Sequence, residues 1–244
     1  MTRILVTGST DGLGRATAAA LLDQGHRVIV HARSADRAAA VSSLTDRGAD
    51  LVIADLTDRR AVRDVADELN GGAEVDAVIH NAGVISGSGI LPVNVVSPYL
   101  LTALLRTPTR HVYLSSGMHR GGSTDLTELD WDGSRTTASY SDSKLFVTAL
   151  SAAVARRWAP RVAADSVDPG WVPTKMGGAG APDDFDLGHE TQERLATEPR
   201  LDVTGGYWHH GERRTPHPAV DDTSFQERLL AALADATGVE LPAR

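Results

Sequence analysis

The sequence predicts one α/β domain, a doubly wound parallel sheet flanked by helices, on three observations. Short apolar, β-branched runs alternate with longer stretches of helical periodicity, the pattern of strand-helix-strand units. A glycine-rich turn, Thr7-Gly8-Ser9-Thr10-Asp11-Gly12-Leu13-Gly14, joins the first strand to the first helix. The chain has 244 residues, 41% hydrophobic and 23% charged, enough for one large core and too ordinary for a disordered or fibrous class.

The elements follow in order. Residues 3–7 read as the first strand, and 15–24 as a helix with an Ala/Leu face that Gly25 ends. Strands at 27–31 and 50–54 alternate with helices at 35–47 and 59–70. A fourth strand at 76–80 precedes a helix at 95–106, and a fifth at 111–115 precedes the long helix 140–158. A sixth strand spans 162–167, a last one 204–208, and a last helix with an apolar stripe 222–236. Between them, residues 176–186 are rich in Gly, Pro and Asp, and 186–196 read as a lid helix, so a mobile substrate flap is expected at about 175–200. No repeat or linker interrupts the pattern, and residues 1–244 are assigned to one domain.

Charge and composition exclude several functions. A net charge of -8 repels a phosphate backbone, so no nucleic-acid partner is expected. Without cysteine there is no disulfide, thiolate nucleophile or Cys-ligated metal. Met1-Thr2-Arg3 runs directly into Ile4-Leu5-Val6, and nowhere do about 18 apolar residues run together, so no membrane span and a cytoplasmic location are expected. His209, His210 and His217 lack the spacing of a metal site, and no metal is expected.

At a strand-to-helix turn, glycines let the backbone approach a pyrophosphate while the helix N-terminus offers free N–H groups and a positive dipole end. This is the logic of a Rossmann-type dinucleotide site. No Lys-Ser or Lys-Thr follows the glycines, which disfavours a P-loop. The second strand ends in Val30-His31-Ala32-Arg33-Ser34. It has no carboxylate to grip a ribose 2′-hydroxyl, and Arg33 has the planar fork that suits a 2′-phosphate. NADP(H) is therefore favoured, with NAD(H) the alternative.

Tyr140 and Lys144 sit four residues apart at the head of the long helix, on one face and about 6 Å apart along its axis. The chain contains only two lysines, Lys144 and Lys175, among 24 basic residues, so a compact ammonium is specifically placed here. A phenol titrates near 10 and is a poor base at neutral pH, while a nearby cation favours phenolate. Lowering its value by about two units takes roughly 2.7 kcal/mol, which an ammonium and an oxidised nicotinamide ring can supply.

These residues, with five further motifs in matching order, resemble a classical short-chain dehydrogenase/reductase along most of the chain. The resemblance assigns the glycine motif to Thr7 through Gly14, with Gly8, Ser9, Thr10, Gly12, Leu13 and Gly14 touching the cofactor, and Asp55-Leu56 to the adenine. Arg33 and Ser34 take the adenosine phosphate. Asn81-Ala82-Gly83 follows the fourth strand, and Asp168-Pro169-Gly170-Trp171-Val172-Pro173-Thr174 touches the nicotinamide through Pro169, Gly170, Val172 and Thr174. It implies that Tyr140 is the general acid or base and that Lys144 binds the nicotinamide ribose and lowers the phenol. It further implies that Asn94 holds a water in a proton relay, and that Ser116, rather than Ser115, orients the substrate oxygen. Ser115-Ser116-Gly117-Met118-His119 and Asp130-Trp131 are most similar to the retinol-dehydrogenase-like branch.

The expected reaction is hydride transfer with a ketone, aldehyde or secondary alcohol, apolar in view of Trp171. The alternative is a noncatalytic NADP(H)-binding sensor or scaffold, which has little need for the set Asn94, Ser116, Tyr140 and Lys144. His119 and Lys175 are read as a loop histidine and a solvated or phosphate-reaching lysine. Only ten residues separate Gly83 from Asn94, which cuts short the start of the next helix and puts in doubt the homo-oligomer that related enzymes build there.

Overall fold

The computed structural model describes residues 1–244. Its elements are β1 (Arg3–Val6), α1 (Gly12–Asp23), β2 (Arg27–Ala32), α2 (Ala35–Ala38), α3 (Ser42–Thr45), β3 (Asp50–Ile53), α4 (Arg59–Gly71) and β4 (Ala77–His80). Then follow α5 (Ser97–Leu104), β5 (Arg110–Leu114), α6 (Tyr140–Trp158), β6 (Ala163–Asp168), α7 (Leu187–Thr197), β7 (Tyr207–His209), β8 (Glu212–Arg214) and α8 (Thr223–Thr237).

The strands form one sheet in the order β3-β2-β1-β4-β5-β6-β7-β8, parallel except for β8. The chain starts in the middle at β1, builds outward to β3, then crosses to β4 and builds the other way. At that reversal the helices diverge and leave a crevice beyond the carboxyl ends of β1 and β4, the place where such sheets bind ligands. One face is covered by α4, α5, α6 and α8 around a 40-residue core, the other by α1, α3 and α7 around 16 buried residues.

Local sequence sets the helix starts. The Asp58 side chain accepts from Arg60 N at 2.8 Å at the head of α4. Ser139 and Asp142 form a reciprocal capping box on α6, which fixes the helix to begin at Tyr140. Thirteen of the nineteen residues of α6 are buried, so Tyr140 and Lys144 ride on the best-packed helix of the fold.

Three expectations change. The helix expected over 35–47 divides into α2, a 3-10 turn Ala39–Val41, and α3, because Val41 and Leu44 are its only buried anchors. The last strand begins at Tyr207 rather than 204, since Gly205 adopts φ +71 and the Gly205-Gly206 pair interrupts extended pairing. A further strand, β8, returns through a turn at His210 and Gly211, both at positive φ, which is hairpin geometry. Within the segment expected as a flap, α7 falls where the lid helix is read, packs against α1 through Gln192 and Thr17, and buries Leu195 and Ala196. No helix is long and apolar enough to cross a membrane.

The outer side of α5 and α6 is closed by the chain itself. α8 packs on α6, and the segment after it crosses toward β5: Tyr99 Oη donates to Val239 O at 2.6 Å and Trp158 Nε1 to Pro242 O at 2.7 Å. Arg244 stacks 4.4 Å from the Trp158 ring and donates to Pro108 O.

Candidate active site

The glycine turn and the segment after β4 form one unit. A Cβ on Gly8, which adopts φ +69, would lie 2.9 Å from Ala82 Cα, and one on Gly14 would lie 2.3 Å from Asn81 Nδ2 and 2.5 Å from Gly8 O. Neither position can carry a side chain. Asn81 Nδ2 donates to Thr7 O at 2.8 Å and Gly8 O at 3.3 Å, and Ala82 N donates to Thr7 Oγ1 at 3.0 Å. From the other side, Gly8 N donates to His31 Nδ1 at 3.0 Å, so the His31 proton sits on Nε2, 2.9 Å from Ala54 O. Burial pulls the His31 value down and favours this neutral form. His31 was invisible as a site residue in the sequence, because a histidine at a strand end has no distinguishing spacing.

The Asp11 side chain caps α1 by accepting from Gly12 N at 2.8 Å, and the first-turn N–H groups of Leu13 and Gly14 have no helical carbonyl to bond. An N-terminus with these N–H groups free, beneath a turn where Gly8 and Gly14 exclude a Cβ, fits a pyrophosphate. Thr174 lies over this turn, its Cγ2 3.3 Å from where a Gly12 Cβ would be, and its Oγ1 accepts from Gly177 N at 3.1 Å. Lys175 pairs with Asp11, which it holds below the usual carboxylate range. Val172 is buried beside Gly188.

At the adenosine end, Arg33 is exposed and helps hold the Asp55 carboxyl low, behind the larger effect of the Thr57 N–H. Ser34 precedes α2 without spending its hydroxyl on a cap. A second cation stands here that the sequence reading left out: Arg37 donates to Thr10 Oγ1 at 3.2 Å and lies 3.9 Å from Asp11. Its position four residues after Arg33 was the available signal. Leu56 is buried in the core below.

The residues expected to handle the proton meet at the ends of β4, β5 and β6. Lys144 is buried, with Nζ 5.5 Å from the centroid of the Tyr140 ring and 2.7 Å from Leu114 O. Gly83 lies alongside: a Cβ there would be in ordinary contact, 3.6 Å from Lys144 Nζ and 3.5 Å from Asn94 Oδ1. The two serines separate cleanly. Ser115 is buried and bonds Thr148 Oγ1 at 2.6 Å, whereas Ser116 stands beside the Tyr140 phenol and accepts from Met118 N. Asn94 lies in a π-turn, Pro92–Val96, and clamps the short segment before it: Oδ1 accepts from Val84 N, and Nδ2 donates to Val84 O and Ser143 Oγ, each at 2.9 Å. Its amide therefore has no N–H left for a water, and its side chain acts as a brace.

The expected softening of the phenol calls on an ammonium together with an oxidised nicotinamide ring; in the chain by itself burial dominates. Burial pushes Tyr140 up to about 12, the Ser116 hydroxyl pulls it down, and the Asp168 carboxylate pushes it up again. Burial lowers Lys144 to about 8, against the opposing pull of Asp168. Removal from water is the largest effect on both groups: it disfavours the phenolate of Tyr140 and the ammonium of Lys144.

Other candidates are structural. His119 is fully buried, with Nδ1 2.7 Å from Ser116 O and Nε2 accepting from His217 N at 2.9 Å. His209 and His210 stack at 3.9 Å against the carbonyls of Asp168 and Pro169.

Comparison with known proteins agrees with this geometry. The short-chain dehydrogenase chyC of Penicillium rubens is 38% identical over 259 residues, spanning 100% of both chains. This chain belongs to the short-chain dehydrogenase/reductase family. The family model described as short chain dehydrogenase matches residues 2–99. Human retinol dehydrogenase 13 is 28% identical over 98% of this chain and 85% of its own, in keeping with a retinol-dehydrogenase-like branch. Among solved structures, one from Mycobacterium paratuberculosis superimposes with a TM-score of 0.84 at 25% identity, covering 99% of this chain and 95% of that one. RhlG of Pseudomonas aeruginosa, solved with NADP, gives 0.68 at 20% identity over 85% and 94%. As a short-chain dehydrogenase/reductase, the chain is an oxidoreductase of a nicotinamide-using family.

Proposed function

We propose that this dehydrogenase/reductase uses NADP(H) to interconvert an apolar ketone or aldehyde with its alcohol. The observation that carries the reading is the convergence of Ser116, Tyr140 and buried Lys144 at the carboxyl ends of the central strands, near a glycine turn in which Gly8 and Gly14 exclude a Cβ. When bound, the cofactor supplies or takes the hydride. Tyr140 donates the proton of its Oη to the substrate oxygen in reduction and recovers it in oxidation. Ser116 orients that oxygen, and Lys144, with two N–H groups beyond the one on Leu114 O, is placed for the ribose and keeps a positive charge under the phenol.

Arg33, Ser34, Arg37 and Thr10 support NADP(H): two guanidinium forks and two hydroxyls gather where a 2′-phosphate would lie, with no acid at the strand tip. Exposed Met118 and Trp171, next to Ser116 and Gly170, favour an apolar substrate.

The test is cofactor oxidation against a panel of ketones and aldehydes with NADPH or NADH. Turnover should favour NADPH, and Tyr140→Phe should abolish it while leaving NADPH affinity within a few-fold. Turnover that survives this substitution refutes the assigned proton donor.

A further inference from the structure

The site contains a carboxylate that this reading does not use. Asp168 ends β6, is 9% exposed, and turns Oδ2 toward the catalytic side, 3.2 Å from where a Gly117 Cβ would be. It is held firmly: Tyr207 Oη donates to Oδ2 at 2.8 Å and Gly170 N to Oδ1 at 3.0 Å. His209 Nδ1 stands 3.7 Å from Oδ2. No lysine or arginine pairs with it.

We propose that Asp168 is a positioning residue for proton transfer, whose negative charge behind Tyr140 and Lys144 keeps both of them protonated and so sets the site to donate a proton to a carbonyl. This rests on the hydride-transfer reading above and adds a preferred state to it. In that state the Tyr140 O–H bond breaks as the carbonyl oxygen gains its proton, and the two electrons come with hydride from the reduced nicotinamide.

One charge acts on both partners in the required sense. A carboxylate disfavours phenolate and favours ammonium, and Asp168 raises Tyr140 and Lys144 alike. Without it, the buried lysine would be the first to lose its proton near neutral pH. Around this centre the titratable and charged groups are Lys144 and Asp142 on α6, Asp168 on β6, and Tyr207 and His209 on β7. His119 and Arg120 stand on the turn after Ser116, and Asp183 and His210 face Gly170. His119 has both ring nitrogens engaged, Asp142 is spent on the capping box, Asp183 accepts from Trp171 N, and Arg120 lies over the Tyr207 ring. Asp168 follows Val167, whose carbonyl accepts from Ser115 N at 2.7 Å, and is the carboxylate at the strand ends where Leu114 O holds Lys144 Nζ.

Because Lys144 and Lys175 are the only lysines, their titration can be followed by NMR of the chain carrying 13C-labelled lysine, assigned with Lys175→Arg. Asp168→Asn, which keeps the shape and removes the charge, should lower the Lys144 midpoint by about one pH unit. Asp168→Ser should do the same if the first variant fails to fold. Tyr207→Phe, which removes a hydrogen bond but keeps the charge, should leave the midpoint in place or raise it. The high-pH limb of carbonyl reduction should fall by a similar amount in the Asp168 variants alone. An unmoved Lys144 midpoint, or the same downward shift in Tyr207→Phe, overturns the proposal. A shifted midpoint in a chain with no cofactor-dependent turnover instead refutes the hydride reading and the proton-donating role, while the placement of charge stands.

Discussion

Acidification should destabilise this fold through one buried pair, His80 and His111. The rings stack between β4 and β5, with His80 Nε2 3.2 Å from His111 Nδ1, and the outer nitrogens, His80 Nδ1 and His111 Nε2, have no partner. A proton added to either ring would therefore enter a dry core with nothing to receive it. Burial lowers His80 to about 3, and His111 falls well below the usual range for the same reason, helped by His80 and Arg244. Since both folded values lie below the unfolded value of about 6.5, their neutral pairing is compatible with full stability above that pH, and stability is lost as the pH falls through it. Between about pH 7.5 and about pH 5.5 the unfolded chain gains roughly 1.4 kcal/mol per histidine, or about 2.7 kcal/mol for the pair. His31 and His119, also lowered by burial, add to the loss, whereas His189, raised by Glu193, opposes it. Urea unfolding followed by tryptophan fluorescence at the two pH values measures the difference. The reasoning fails if the unfolding free energy changes by less than about 1 kcal/mol, or if the double variant His80→Asn, His111→Asn retains the whole drop.

Three further outcomes are expected. Arg37→Ala should weaken NADPH binding about 10- to 100-fold and NADH binding little, as one charge-assisted contact predicts; equal losses in titration calorimetry would place Arg37 outside the phosphate site. Gly14→Ala should abolish dinucleotide binding and lower the melting temperature, because its methyl group meets Asn81 Nδ2 and Gly8 O below 3 Å; calorimetry that finds wild-type affinity would show that the cradle can open. With the outer side of α5 and α6 covered by α8 and residues 239–244, the chain should run as a 25.8 kDa monomer in size-exclusion chromatography with light scattering, and a concentration-independent dimer would contradict this.

Much of the site was legible because its chemistry constrains local sequence. A turn that must admit a pyrophosphate excludes side chains at Gly8 and Gly14, and a phenol and an ammonium that share a helix face must be spaced as Tyr140 and Lys144 are. Ser116 is preferred to Ser115 on resemblance, and only the folded chain shows Ser115 turned into the core toward Thr148. The break in the helix expected over 35–47 was less legible, since its periodicity was real but only two of its side chains find the core. The β7–β8 hairpin was announced only by His210-Gly211, a turn that reads as an ordinary loop without its partner strand.

By itself the sequence determined the alternation of strands and helices as far as β7, the glycine turn and the spacing that puts Tyr140 and Lys144 on one helix face, because these depend on neighbours a few residues apart. Tertiary structure alone decided the rest. It brought His31 to Gly8 across the sheet, committed the Asn94 amide to Val84 and Ser143, and set the carboxylate of Asp168, pinned by Tyr207 from another strand, beside the reacting groups. Burial also raises the Tyr140 phenol and lowers the Lys144 ammonium, directions that their spacing does not carry. Burial is a property of everything packed around a side chain, and the cost of charge in a dry place is not written in the spacing of the residues that bear it.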